Sequence, residues 1–352
     1  MTSGDPEPLP VERFDYELPA ELIAQTPIEP RDAARLLVVS RADRSLTDRA
    51  FRELPELLRQ GDLLVVNDTR VMPARLVAQR ASGGRVELLL LSRQPDGRWR
   101  SLARPARKLR PGEWLALIGH DESPVDDSVR VVSREDETMI VEIPDETAIQ
   151  RHGRVPLPPY IRDSSSDPER YQTVYGREAG SAAAPTAGLH FTQSVIDACS
   201  ARGIEFASVT LHVGLDTFGP IKTADARDHQ IHSEWYEAPA TCLNAVARAK
   251  RDGRRVVAVG TTSVRTLESL ADHLSSSETF AEPVSGTTRL YITPGYKFQV
   301  VDAVLTNFHL PRTTLLLLVS AFAGEETIRA AYAHAIQERY RFYSFGDAML
   351  IV

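Results

Sequence analysis

Six short segments with strand character, crowded between residues 74 and 143, constrain this chain more than any other feature. They are 74–78, 85–91, 99–103, 113–118, 129–132 and 138–143. Ser82-Gly83-Gly84, Pro95-Asp96-Gly97, Pro111-Gly112 and Asp126-Asp127 mark turns between them. No helix of convincing length falls inside. Short strands at close spacing predict a small antiparallel barrel or sandwich. On either side the pattern changes. Before it, 36–39 and 63–66 read as buried strands around a helical spacing of Phe51, Leu54, Leu57 and Leu58 that stops at Gly61. After it, helices are expected over 192–201, 243–251, 263–274 and 326–339. Strands are expected over 205–212, 255–259, 300–306 and 314–319. The simplest architecture is an α/β main domain, residues 13–70 and 148–352, interrupted by an inserted small antiparallel β-barrel domain at 71–147.

Composition narrows the class. The 352 residues are 42% hydrophobic and 25% charged, with a formal net charge of −7. That is ordinary for a globular protein and argues against a nucleic-acid coat, while leaving room for a local basic patch. Cys199 and Cys242 lie far apart, fit no zinc or redox spacing, and read as buried thiols in a reducing compartment. No apolar run approaches the roughly 20 residues that span a bilayer. Residues 1–12, rich in Pro and acids, are expected to form a disordered leader. They lack the basic start and apolar stretch of a signal peptide, so the cytoplasm is the expected location.

Several motifs suggest a ligand. Pro185-Thr186-Ala187-Gly188-Leu189-His190-Phe191 follows the small run Ala182-Ala183-Ala184, and Gly188 allows backbone angles that other residues avoid. His190, His212 and His309 each end an apolar run beside Gly or Pro, which suggests one pocket assembled from several strand ends. Gly260-Thr261-Thr262-Ser263 joins a strand to a helix and carries Arg265 in the next turn. Such a junction grips a carboxylate or phosphate, or serves only as a cap. Asn67-Asp68-Thr69-Arg70 follows a strand where α/β sheets place ligands, and also where a turn into the barrel must lie. The run from Asp228 to Glu234 holds His229 and His232 beside two carboxylates. It is an acid/base candidate rather than a metal site, or else a solvated loop. Arg93, Arg98, Arg100, Arg104, Arg107, Lys108 and Arg110, with the single acid Asp96, form a candidate phosphate-contacting face. Arg339-Tyr340-Arg341-Phe342-Tyr343 alternates base and aromatic, as RNA surfaces do and as a helix end packed into a core also does. No Walker, Gly-x-Gly-x-x-Gly or Gly-x-Ser-x-Gly sequence occurs.

Together these segments resemble one family, the S-adenosylmethionine:tRNA ribosyltransferase-isomerases of queuosine biosynthesis. The resemblance is carried by Phe14-Asp15-Tyr16-Glu17-Leu18-Pro19, by residues 67–76 (Asn67 to Leu76), 155–161, and Tyr171-Gln172-Thr173-Val174-Tyr175. It continues through 184–191, 209–214, His232-Ser233-Glu234, 259–268, 306–311 and 343–351. The resemblance implies an α/β domain with an inserted barrel. It implies transfer and isomerisation of the ribosyl group of S-adenosylmethionine onto the aminomethyl group of 7-aminomethyl-7-deazaguanine, at the wobble position of tRNA. Epoxyqueuosine forms, and adenine and methionine leave. S-adenosylmethionine is then a consumed co-substrate, with no resident cofactor and no metal, and a monomer is expected. A base must take a proton beside the sulfonium, for which His190, His212, His232, Glu234 and His309 are candidates. Asn67, Asp68, Arg70, Thr186, Gly188, Thr261, Thr262, Ser263 and Arg265 are candidates for substrate binding, and Arg104, Arg107, Lys108 and Arg110 for tRNA. Asp216, Gly219 and Ala34 depart from the usual pattern. The rival readings are an S-adenosylmethionine-dependent RNA methyltransferase, which lacks its Gly-rich loop here, and a non-catalytic tRNA-binding protein.

Overall fold

Strands buried on both faces carry almost no polar residues, and the centre of the main sheet follows that rule. In the computed structural model, which describes residues 8–135, 138–158, 160–162, 167–214 and 219–352, the chain divides into two compact units. One comprises Met1–Thr69, Pro159–Glu178 and Pro185–Val352; the other comprises Arg70–Pro158 and Ala179–Ala184.

The first unit is built on a nine-stranded mixed sheet. Four neighbouring strands run parallel in the order Glu205–Leu211, Leu63–Asn67, Val256–Val259, Ala303–Asn307. Their carboxyl ends therefore share one edge. Ala348–Ile351 runs antiparallel to Ala303–Asn307 and parallel to Arg35–Val39, which Leu46–Ala50 borders. At the other side Glu234–Ala238 and Val284–Thr288 continue the sheet antiparallel. Leu64 and Val66 join Phe51, Phe191, Val195 and Cys199 in the core on one face. Leu63 and Val65, equally buried, point to the other face, as the two-residue period of a strand demands.

Residues 314–319, expected as a strand, belong to the helix Thr314–Ala323. Leu316, Leu317, Leu318 and Val319 are all buried, and a helix covered all round has no polar stripe to reveal its period. The signal that tells them apart is Thr313, whose hydroxyl accepts from Leu316 N at 3.4 Å as an N-cap. Order also begins earlier than the expected leader allows. Residues 1–7 lie outside the described residues, but Leu9 and Val11 are buried and Val11 N donates to the Ala224 carbonyl at 3.0 Å. Asp216 lies outside the described residues too, and Gly219 is exposed. Ala34 is fully buried within the apolar core, where a hydroxyl would need a partner.

In the second unit all six expected segments form strands. They close a barrel in the order Thr138–Glu142, Trp99–Arg104, Arg85–Arg93, Arg75–Arg80, Trp114–Ile118, Pro124–Glu135. Alternate residues such as Val86, Leu88 and Leu90 fill it. The helix Thr147–His152 adds Ala148 and Ile149 to the same core, so this unit runs on beyond residue 147.

Candidate active site

The shared carboxyl edge of the four parallel strands gathers most of the sequence candidates. Asp68, His212, Gly260 and Phe308 are the first residues past the four strand ends. Neighbouring strands lie about 4.8 Å apart, so the outer two ends are separated by about 14 Å. The polar residues accordingly form two flanking groups around the helix Thr261–Ser269.

On one flank a rigid polar turn leads out of the sheet. Asn67 donates from Nδ2 to the Leu211 carbonyl at 3.0 Å, and its Oδ1 accepts from Leu211 N and Thr69 N. The Asp68 carboxylate accepts from Arg177 Nε and Nη2 and from the Thr210 hydroxyl at 2.7 Å. Both side chains, proposed from sequence as ligand contacts, are committed to holding this turn. The Thr69 hydroxyl lies 2.8 Å from His212 Nδ1 and 3.3 Å from the Glu178 carbonyl. A hydroxyl has one hydrogen and the carbonyl can only accept, so both contacts are satisfied in a single way. Thr69 donates to Glu178, His212 Nδ1–H donates to Thr69, and His212 Nε2 keeps its lone pair. The His212 ring stacks on Trp235 with centroids 5.0 Å apart. Burial lowers its pKa below the usual 6.5, against a smaller raising effect of the Asp68 carboxylate, so the ring is neutral at pH 7.

Glu234, at the start of the neighbouring strand, is buried. It accepts from Gly214 N at 3.1 Å and from Arg265 Nη1. Arg265 Nε donates to the Leu290 carbonyl at 3.1 Å. Its Nη2 is buried with no partner among the described residues, and so is the Thr262 hydroxyl one turn earlier. An unmade hydrogen bond from a buried group is costly, so two such groups near one helix N-terminus mark a place for an acceptor. Gly260 turns the chain from strand into helix at φ +87°. Ser263 is committed to the Val259 carbonyl at 2.8 Å. Thr261 is buried beside it. Glu268 anchors the helix by accepting from the backbone N–H groups of Gln299, Val300 and Val301.

On the other flank the two remaining histidines are structural in their bonding, and His190, expected at a strand end, instead closes the 3-10 turn Thr186–His190. Asn307 Nδ2 lies 3.1 Å from His190 Nε2 and shares its two hydrogens among that nitrogen and the Tyr343 and Asp347 carbonyls, and its Oδ1 accepts from Thr186 at 2.9 Å. His190 is therefore protonated on Nδ1 with its lone pair already engaged. Burial, helped by Arg341 and Arg31, lowers its pKa to about 3. His309 meets the Thr306 hydroxyl at 3.0 Å, and burial lowers its pKa to about 3 as well. Gly188 makes room for a phenol, since a Cβ there would sit 2.0 Å from Tyr175 Oη.

Other candidates lie elsewhere. His232 is exposed just before Glu234, and Arg70 is half-buried at the start of the barrel unit. Tyr340 and Phe342 are fully buried, so the stretch 339–343 is core rather than an aromatic RNA surface. Arg104, at the end of the strand Trp99–Arg104, and Arg107, Lys108 and Arg110, on the loop that follows it, are exposed. Sequence reasoning missed Thr69 as a partner of His212, and Arg177, Trp235 and Glu268 altogether. Thr69 and His212 are 143 residues apart, and no periodicity reports such a contact.

The arrangement offers a neutral imidazole with a free lone pair and, at a helix N-terminus, a hydroxyl and one guanidinium nitrogen that lack an acceptor. That set suits removing a proton from a substrate held by its carboxylate or phosphate.

Comparison with known proteins bears on this geometry. A model of the family described as queuosine biosynthesis protein matches residues 11–351. A curated S-adenosylmethionine:tRNA ribosyltransferase-isomerase of Symbiobacterium thermophilum is 51% identical over 345 residues, covering 96% of this chain and 98% of the relative. One of the same description from Thermotoga maritima is 48% identical over 344 residues, covering 97% and 99%. The crystal structure of an S-adenosylmethionine tRNA ribosyltransferase from Thermotoga maritima is similar with a TM-score of 0.55 at 39% identity, covering 97% of this chain and 100% of that one.

Proposed function

The chain belongs to the queuosine biosynthesis protein family, and from that premise we infer that it transfers the ribosyl group of S-adenosylmethionine to tRNA and isomerises it. The acceptor is the aminomethyl group of 7-aminomethyl-7-deazaguanine at the wobble position. Epoxyqueuosine-tRNA, adenine and methionine are the products. S-adenosylmethionine is consumed, no resident cofactor takes part, and the chain acts as a monomer in the cytoplasm. Among the described residues no helix is long and apolar enough to cross a membrane.

The observation that carries the mechanism is the bonding of His212. Its Nδ1–H is held by Thr69, whose own hydrogen goes to Glu178, and this leaves Nε2 as the base. The proton on the ribosyl 5′ carbon, made acidic by the adjacent sulfonium, passes to Nε2. The lowered pKa keeps the imidazole unprotonated at neutral pH and ready to accept it. Adenine then departs with a proton, the amine attacks, and closure to the epoxide breaks the carbon–sulfur bond and releases methionine. Arg265 Nη2 and the Thr262 hydroxyl are free to hold the methionine carboxylate, while Glu234 fixes the guanidinium through Nη1. His190, His309, Asn67 and Asp68 keep the strand ends in register and move no protons.

Incubation with S-adenosylmethionine and tRNA carrying the aminomethyl base tests the assignment. Adenine and methionine appear in equal amounts if it is right. S-adenosylhomocysteine would identify a methyltransferase, and tRNA binding without any product would identify a binding protein.

A further inference from the structure

The cations of the barrel unit are mostly matched by acids. Arg80 meets Glu113 at 2.6 Å, Arg93 meets Glu146 at 2.8 Å, and Arg100 meets Glu135 at 3.2 Å. The loop from Arg104 to Trp114 is different. Arg104, Arg107, Lys108 and Arg110 are all exposed, and among the described residues none of them meets a carboxylate at ion-pair distance. The one acid in the loop, Glu113, is taken by Arg80 and by the Arg110 backbone N–H at 3.1 Å. Leu109 is buried in the barrel core and pins the middle of the loop, so the cations stand on an anchored segment. At its end Trp114 starts a strand whose alternation sends Leu115 and Leu117 inward and the indole outward, where it is 50% exposed.

A single exposed ring is ordinary on its own, and it is the cationic loop it ends that gives it a meaning. The barrel unit has no other exposed large hydrophobic residue among those described, so the indole stands alone at the end of the cationic loop. A protein partner or a lipid surface would call for a wider apolar patch. An indole at the end of a loop whose cations have no carboxylate partner suits an unpaired nucleobase stacked on the ring, with the neighbouring RNA backbone along the loop.

We propose that the Arg104–Trp114 segment is an RNA-contacting surface, on which Trp114 stacks an unpaired base of the tRNA substrate and the four cations bind its backbone. The proposal rests on the reading of tRNA as substrate. It assigns the loop to holding the RNA, not to the ribosyl chemistry.

The test titrates tRNA carrying the aminomethyl base against wild type at several salt concentrations, without S-adenosylmethionine. The same titration is made with Trp114→Ala, Trp114→Phe and the combined Arg104→Gln, Arg107→Gln, Lys108→Gln, Arg110→Gln variant. The charge variant is expected to flatten the dependence of log affinity on log salt by about 3, at about 0.7 per lost phosphate contact. Trp114→Ala is expected to weaken binding by about fivefold to a hundredfold with the salt slope unchanged, and Trp114→Phe to recover most of it. Affinity for S-adenosylmethionine and thermal stability stay at wild-type values in all three. Wild-type tRNA affinity in both the Ala and the charge variants overturns the proposal and leaves the assigned reaction standing. Failure of the wild-type protein to bind the tRNA overturns both.

Discussion

Replacing Thr69 with Val tests the link between structure and chemistry most sharply. The change is nearly isosteric and removes only the hydroxyl that sits 2.8 Å from His212 Nδ1 and 3.3 Å from the Glu178 carbonyl. In the wild type the Nδ1-protonated ring gains a hydrogen bond that the other tautomer cannot make, because Thr69 has already given its hydrogen to Glu178. A net hydrogen bond contributes about 1–1.5 kcal/mol. Losing it shifts the tautomer ratio by up to about tenfold. The expected result is a fall in kcat of about three- to tenfold, with KM for S-adenosylmethionine within about twofold, because the base is affected and the grip on substrate is not. Thr69→Ser keeps the hydroxyl and retains activity. The imidazolium also loses an acceptor in the Val variant, so the acid limb of the pH–rate profile moves to lower pH while the plateau drops. Steady-state release of adenine across pH measures all three quantities. A folded Val variant with the wild-type plateau, or a Ser variant as slow as Val, would refute the assignment of His212 Nε2 as the base.

Other outcomes follow from neighbouring contacts. Arg265→Lys keeps a positive charge beside Glu234 but loses the planar fork; KM for S-adenosylmethionine is expected to rise about tenfold with little change in kcat, and an unchanged KM would remove Arg265 from substrate binding. Asn307→Ala strips partners from His190, Thr186 and two carbonyls, and urea denaturation should report a loss of about 3 kcal/mol; a loss under about 1 kcal/mol would show the knot to be dispensable. Gly188→Ala forces a methyl against Tyr175 Oη and should cost about 1–3 kcal/mol, partly restored by adding Tyr175→Phe; no destabilisation would mean the phenol moves freely. His190 and His309 have pKa values near 3 folded against a usual 6.5, so their neutral forms stabilise the fold above about pH 6.5. That stabilisation is lost as pH falls toward 3, each histidine steepening the decline by up to about 1.4 kcal/mol per unit. Denaturation of a His190→Gln, His309→Gln double variant should show a flatter dependence between about pH 6 and 4, and an equal slope would contradict the burial argument.

How much of this was legible beforehand depended on how local each signal is. The barrel was readable because its strands are short runs of strand character separated by turns rich in Gly, Pro or Asp. The central parallel strands were readable as short apolar runs. Leu46–Ala50, Glu234–Ala238 and Val284–Thr288 were not, because the sheet's outer strands are half-polar and show no apolar run. Among the histidines, sequence marked His190, His212 and His309 alike, since each ends an apolar run. Bonding separates them. Asn307 engages the lone pair of His190, burial neutralises His309, and only His212 combines partial exposure with an engaged Nδ1. The basic stretch divided in the same way. Arg98 meets Asp96 within its own turn, while Arg93 and Arg100 meet Glu146 and Glu135, which come close only once the chain is folded, and this leaves the four cations of the loop unmatched.

The central claim is that His212 takes a proton from the 5′ carbon of S-adenosylmethionine during ribosyl transfer. A single turnover with S-adenosylmethionine dideuterated at that carbon, in light water with aminomethyl-bearing tRNA, measures it directly. The account predicts washout of deuterium from that carbon, a slower turnover than with the unlabelled substrate, and loss of both exchange and product in His212→Gln. Full retention of both deuteriums in the tRNA product, or unchanged washout in the Gln variant, would contradict it.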